Sequence, residues 1–126
     1  MIKDSFYVFV GGGTGSCIRF LLSDLWKLAK QYPCFADVLF PWPTLLANII
    51  GCLLIGIFYS HASSWQIKPE ITRLLTTGLC GGFTTFSTFS WESLNLLRTG
   101  HVALFILYSI LSFILGLFMV FLGTKL

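Results

Sequence analysis

TTGLCGGFTTFSTFSWE, Thr76–Glu92, places glycines, hydroxyl side chains, phenylalanines and a carboxylate inside an otherwise strongly apolar chain. Glycine weakens a helix, and serine and threonine hydroxyls bond to backbone groups that a helix break releases. The plainer alternative is a continuous helix whose hydroxyls fold back onto the preceding turn. The Gly81–Gly82 pair, with Thr84, Thr85, Ser87, Thr88 and Ser90 close behind it, favours a break. Unwound backbone at membrane depth persists only where protein buries it or where it lines a cavity.

The rest of the chain supplies that membrane setting. Of its 126 residues, 56% are hydrophobic, 17% aromatic and only 10% charged, far from soluble proportions. A helix of about 20 apolar residues crosses a hydrocarbon core roughly 30 Å thick. The chain divides into four such pieces, at about 5–27, 43–61, 69–98 and 101–123, which together make one all-α membrane domain over 1–126. The bend Phe40-Pro-Trp-Pro43 precedes the second span, Pro69 opens the third and Gly100 separates the third from the fourth. The first apolar run is followed by Arg19 and lacks a clear small-residue cleavage site, so it reads as a retained helix rather than a signal peptide. Cys17, Cys34, Cys52 and Cys80 form no CxxC motif, which argues for packing residues over disulfides or zinc ligands.

Charge bears on orientation. With four spans, Lys3, Lys68, Arg73 and Lys125 share one side and Arg19, Lys27, Lys30 and Arg98 the other, four against four. The rule that places positive loops in the cytoplasm then gives no preference. Chance balance explains this, and so does insertion of copies in both directions, paired antiparallel about a two-fold axis in the membrane plane. The middle of the third span, bracketed by Arg73 and Arg98, falls at residue 85 or 86, which puts the break near the bilayer centre.

A broken helix exposes carbonyls at the end of its first half and amides at the start of its second, offering a cation site beside an anion-friendly one. Carbonyl oxygens around Gly81 to Thr84 from two subunits suit a hard monovalent cation. Phe86 and Phe89 share a helix face, with Ser87 and Ser90 flanking it. Ring edges carry partial positive charge, so this face can pass a small anion without a fixed full charge, although an aromatic pair at this spacing is more often lipid-facing or core. Glu92 is the one acid well inside a span and is either functional or a helix-end residue reaching interfacial water. Asn48 either joins helices or donates its NH₂ to an anion. Ala47 with Gly51, and Gly11 with Gly15, are spaced for close helix approach. Arg19 is an interfacial anchor or an anion attractor at a vestibule. The run GGGTG at 11–15 lacks the strand and the lysine of a nucleotide loop. No catalytic pair, metal-ligand cluster, basic stripe or internal repeat stands out.

Three motifs in order, GGGTGS with Arg19, then Asn48-Ile-Ile-Gly51, then TGLCGGFTTFSTFS, resemble the Fluc/CrcB family of bacterial fluoride channels over essentially the whole chain. The resemblance implies an antiparallel, dual-topology homodimer of four-helix subunits in the bacterial inner membrane, with two fluoride pores and a structural sodium ion at its centre. By motif, the carbonyls of Gly81 and Thr84 would hold sodium, and Phe86 and Phe89 would line the pore as edge-on rings. Asn48 would donate to fluoride, with Ser87, Thr88 and Ser90 as nearby polar groups. Glu92 would lie by the path and Arg19 would attract the anion. Flow would be passive, carrying out fluoride that enters as the neutral acid. Phe83, where a smaller aliphatic is common, and a long first loop depart from the pattern. The fourth span offers Tyr108, Ser109 and Ser112 without a pattern that singles one out.

A proton-coupled exporter of the small multidrug resistance kind is the alternative of similar architecture, but it needs a membrane-embedded glutamate in the first span, and residues 5–22 contain none. A non-transporting subunit of a membrane complex would leave the hydroxyl and phenylalanine pattern without a use.

Overall fold

Proline and glycine set most of the helix ends. In the computed structural model, which describes Met1–Leu126, every regular element is helical. A long α1 (Ile2–Ala29) is followed by a one-turn α2 (Pro33–Ala36) and by α3 (Trp42–His61). Next come α4 (Pro69–Arg73), a π-helical segment (Leu74–Cys80), α5 (Gly81–Phe83), α6 (Phe86–Arg98) and α7 (Val102–Lys125). Pro33, Pro43 and Pro69 occupy first-turn positions of α2, α3 and α4, where a missing N–H costs no hydrogen bond. Gly100, with φ of 79°, makes the left-handed turn between α6 and α7.

Three helices, α1, α3 and α7, are long and apolar enough to cross a membrane. Their outer faces are apolar too: only 16 of 126 residues are buried, while side chains such as Phe113 and Leu117 stand exposed on α7. That surface suits lipid, and the protein is a multi-pass, all-helical membrane protein. The chain over 69–98 carries the break that the glycine pair favours, and it runs as four consecutive pieces. Its π-helical portion was not foreseen.

The break lies at Thr84 and Thr85, whose backbones are extended (φ −81°, ψ 156° and φ −152°, ψ 121°). It sits against the middles of two long helices. A methyl group on Gly15, halfway along α1, would lie 2.7 Å from the Phe83 amide nitrogen, and one on Gly51, halfway along α3, would collide with the Thr84 side chain. Thus the first half-helix, α4 through α5, rests on a glycine face of α1 made by Gly11, Gly12 and Gly15. Modified Gly78 would approach Gly11 Cα to 3.0 Å, and Gly82 would approach Gly12 Cα to the same distance. The small-residue spacings at 11–15 and 47–51 therefore do bring helices together, and Ala47 has no exposed surface. A third contact of this kind, between Gly56 of α3 and Gly123 of α7, was not read from the sequence.

At one end of this pair, Arg73 Nη1 bonds Asp4 Oδ1 at 2.7 Å and Lys3 lies 3.5 Å from Glu70, tying α4 to the start of α1. Beside α6 and α7, Phe40, Leu45, Leu96 and Tyr108 form a buried cluster, with Phe40 meeting Tyr108 edge-on at 5.5 Å.

Glycine at 123 lies directly against the backbone of α3, since a Cβ there would meet Ile57 N at 2.9 Å and Gly56 Cα at 3.0 Å. Overpacking of a tight contact costs about 1–3 kcal/mol. Gly123→Val is expected to lower thermal stability in detergent by an amount in that range. Gly13→Ala, with nothing within 4 Å of the new methyl, is expected to stay within about 0.5 kcal/mol of the parent.

Candidate functional site

Thr85 is where the broken helix is tied to its neighbours. Its amide donates to Asn48 Oδ1 at 2.8 Å and its carbonyl accepts from Asn48 Nδ2 at 3.2 Å. The asparagine of α3 therefore pairs with the extended residue as a neighbouring strand would, satisfying both backbone groups that the break frees. Thr85 Oγ1 then accepts from the Thr88 amide at 3.2 Å, capping α6. It also lies 3.2 Å from Ser87 Oγ and donates to Thr88 Oγ1 at 3.1 Å.

Above this tie a groove of about 540 Å³ opens between α3, the break and α7. Asn48, Gly51, Gly81, Thr84, Phe86 and Phe89 form walls of it, joined by Ser109, Ser112 and Phe113 from α7. Phe86 and Phe89 stack at 5.8 Å with a 31° tilt, and Phe89 continues to Tyr108 at 4.9 Å. Asn48 has spent one amide hydrogen on Thr85 and retains a second. Full charge is absent from these walls. The donors are an amide and hydroxyls.

Of the residues singled out in the sequence, Asn48, Phe86, Phe89, Gly81 and Thr84 meet in this groove, whereas Ser87, Thr88 and Ser90 are not among its walls. Ser87 and Thr88 are turned into the cap of α6, and Ser90 is exposed. Glu92 lies a turn further on, half-buried, and accepts a hydrogen bond from Thr44 of α3. Arg19 also sits elsewhere than its place in the charge tally. It belongs to the body of α1, with Nε 3.3 Å from the Gly82 carbonyl oxygen beside the break. Removing it from the loop charges changes four against four into four against three.

The sequence reading did not assign Thr44, Tyr108 or Ser112. Tyr108 is fully buried, and its hydroxyl and those of Ser112 and Ser93 have no hydrogen-bond partner. Buried hydroxyls without partners are costly, and they are suited to a ligand or water that completes them. The only sequence signal was a row of hydroxyls on one apolar helix.

At the break, side-chain donors go to the carbonyls of Cys80 (Thr84 Oγ1, 2.8 Å), Gly82 (Ser16 and Arg19) and Thr85 (Asn48). They leave the Gly81 and Thr84 carbonyls without a side-chain partner. Neutral carbonyl oxygens are the donor type that a hard cation takes.

A family model described as CrcB-like protein, Camphor Resistance (CrcB), matches residues 6–124. The fluoride-specific ion channel FluC of Phocaeicola vulgatus is 48% identical over 122 residues, covering 97% of this chain and 96% of that protein. The protein of the same description from Bacteroides fragilis is 43% identical over 122 residues, covering 97% and 94%. That from Aquifex aeolicus is 41% identical over 119 residues, covering 94% and 91%.

Asn48→Ala leaves the Thr85 amide and carbonyl without their partners, and an unsatisfied buried group costs about 1–3 kcal/mol. Amide exchange at Thr85 is expected to accelerate in this variant while exchange in α7 stays unchanged. Equal exchange at Thr85 in parent and variant would show that the asparagine pairing carries no weight.

Proposed function

Because the chain belongs to the CrcB-like family, we propose that it is a passive, fluoride-selective ion channel of the bacterial inner membrane, which lowers cytoplasmic fluoride by letting the ion leave. The observation that carries this reading is the groove itself, where Asn48, Phe86, Phe89 and Ser112 meet and every donor is neutral. A small, strongly hydrated anion gives up water only where several donors replace it, and it moves on only where none of them holds it by full charge. The second Asn48 amide hydrogen, the unpartnered Ser112 hydroxyl and the ring edges of Phe86 and Phe89 are such donors. Glu92 with Thr44, and the Tyr108 hydroxyl, extend polar groups beyond the phenylalanines. Ser87, Thr88 and Ser90 act from the second half-helix, outside the groove wall.

The assembly in this reading is an antiparallel homodimer with two pores and four spans per subunit, the broken helix serving as the third. Support comes from the exposure of Phe86, 79% in the single chain although it stands on the groove. A second copy set against the break would cover it and close the groove's open side. The four-against-three loop charge leaves both insertion directions accessible. On the axis between the two breaks, the carbonyls of Gly81 and Thr84 from each copy would hold a structural sodium ion, which supplies positive charge where two half-helix ends converge. A proton-coupled exporter finds less support, because the acids of α1 lie toward its ends, Asp4 paired with Arg73 and Asp24 with Lys27.

Purified protein in liposomes is expected to release fluoride rapidly on an ion-selective electrode and chloride hardly at all; equal rates would remove the selectivity. Phe86→Ile is expected to cut fluoride release at least tenfold, a rise of about 1.4 kcal/mol or more in the barrier, while the protein still elutes as a dimer. Replacing sodium with a large organic cation is expected to abolish release, and undiminished release would count against the central ion.

A further inference from the structure

Gly82 ends one residue short of the last helical residue before the break, and its carbonyl is held by two donors from α1, Ser16 Oγ at 3.4 Å and Arg19 Nε at 3.3 Å. Direct backbone contact brings it there, because a methyl on Gly82 would strike Gly12. Arg19 is free of ion pairs. Asp4 is engaged with Arg73 and the N-terminus, Asp24 with Lys27 and Glu70 with Lys3, Glu92 accepts from Thr44, and Asp37 stands at the end of α2 in no ion pair. So a permanently charged guanidinium is directed at a neutral carbonyl.

The C-terminal end of a helix carries about half a negative charge on its unpaired carbonyls. Here that end borders a groove proposed to carry an anion, which it would repel. Arg19 touches the last turn of this half-helix and is half-buried, where screening by water is weaker than at the surface. An arginine that only drew anions into a vestibule would have no need of Gly82.

We propose that Arg19 is a positioning residue for the break, a built-in cation that fastens the Gly82 carbonyl to α1 and offsets the negative end of the first half-helix beside the groove. The carbonyls left for a mobile cation are then those of Gly81 and Thr84. This part rests on the sodium reading above, whereas the fastening of Gly82 does not. Arg19 and sodium thus act on the same half-helix end, and either one alone keeps the break partly ordered.

The test is amide hydrogen exchange across Leu79–Phe86 in purified parent protein, Arg19→Lys, Arg19→Gln and, as a control, Arg98→Gln at an exposed helix end, each with and without sodium. Without sodium, Arg19→Gln is expected to exchange about tenfold faster than the parent, in line with the loss of one hydrogen bond to a charged group. Saturating sodium is expected to restore most of that difference. Arg19→Lys, which keeps the charge and loses the guanidinium fork, is expected to fall between the two, and Arg98→Gln to match the parent. If both Arg19 variants exchange like the parent at every sodium level while fluoride release falls, Arg19 is an anion attractor only and the proposal is overturned. Should Arg19→Gln fail to fold, the lysine variant alone decides, and parental exchange in it overturns the proposal. An absence of any sodium effect in the parent would defeat the sodium reading, and faster exchange in Arg19→Gln would then still support the fastening of Gly82.

Discussion

A helix interrupted in the middle of a membrane protein must find partners for the backbone groups that its missing turn releases. In this chain they come from four directions. Thr84 turns its own amide and hydroxyl back to the Cys80 carbonyl, Asn48 pairs with both backbone groups of Thr85, Ser16 and Arg19 take the Gly82 carbonyl, and the Thr85 hydroxyl receives the Thr88 amide. Helices α1 and α3 are thereby committed to fixed heights against the break. The groove is a consequence of that commitment, because the side chain that completes Thr85 also stands on the groove wall.

Close approach makes the bonding possible. Ser16 reaches Gly82 only because α1 presents Gly11, Gly12 and Gly15 to the first half-helix, backbone against backbone. Without water-driven burial between helices in lipid, such contacts gain from dispersion and from short polar bonds across the interface. The same device recurs at Gly56 and Gly123, where α3 meets α7 and sets the opposite wall of the groove. Rigid walls matter for an ion that must be met by several weak donors at once, since a shift of one helix would change the spacing of Ser112 and Asn48 across the groove.

Much of this was legible in the residues, for identifiable reasons. Proline acts locally, so Pro43 and Pro69 lie in the first turns of α3 and α4, where the chain alone places helix starts. The Gly81–Gly82 pair and the hydroxyl run announced the break through backbone chemistry that needs no partner. The π-wound stretch was invisible, because its sequence, LLTTGLC, is ordinary and the glycine face packed against it comes from a distant part of the chain. The Gly82 contact of Arg19 was hidden for a related reason: the carbonyl that answers this lone charge belongs to a segment far along the chain. Thr44, Tyr108 and Ser112 acquire meaning only through α6 and the break, which sit far from them along the chain.

The π-helical segment has a bearing on how such a protein can vary. Wide turns hold more residues per unit length than α turns, so Leu74–Cys80 carries slack chain just ahead of the break. Loss of a residue there converts wide winding to ordinary winding, whereas loss of a residue within α3 would rotate Asn48 away from Thr85. A one-residue deletion in this region would therefore keep the depth of the break constant, with winding taking up the difference in length.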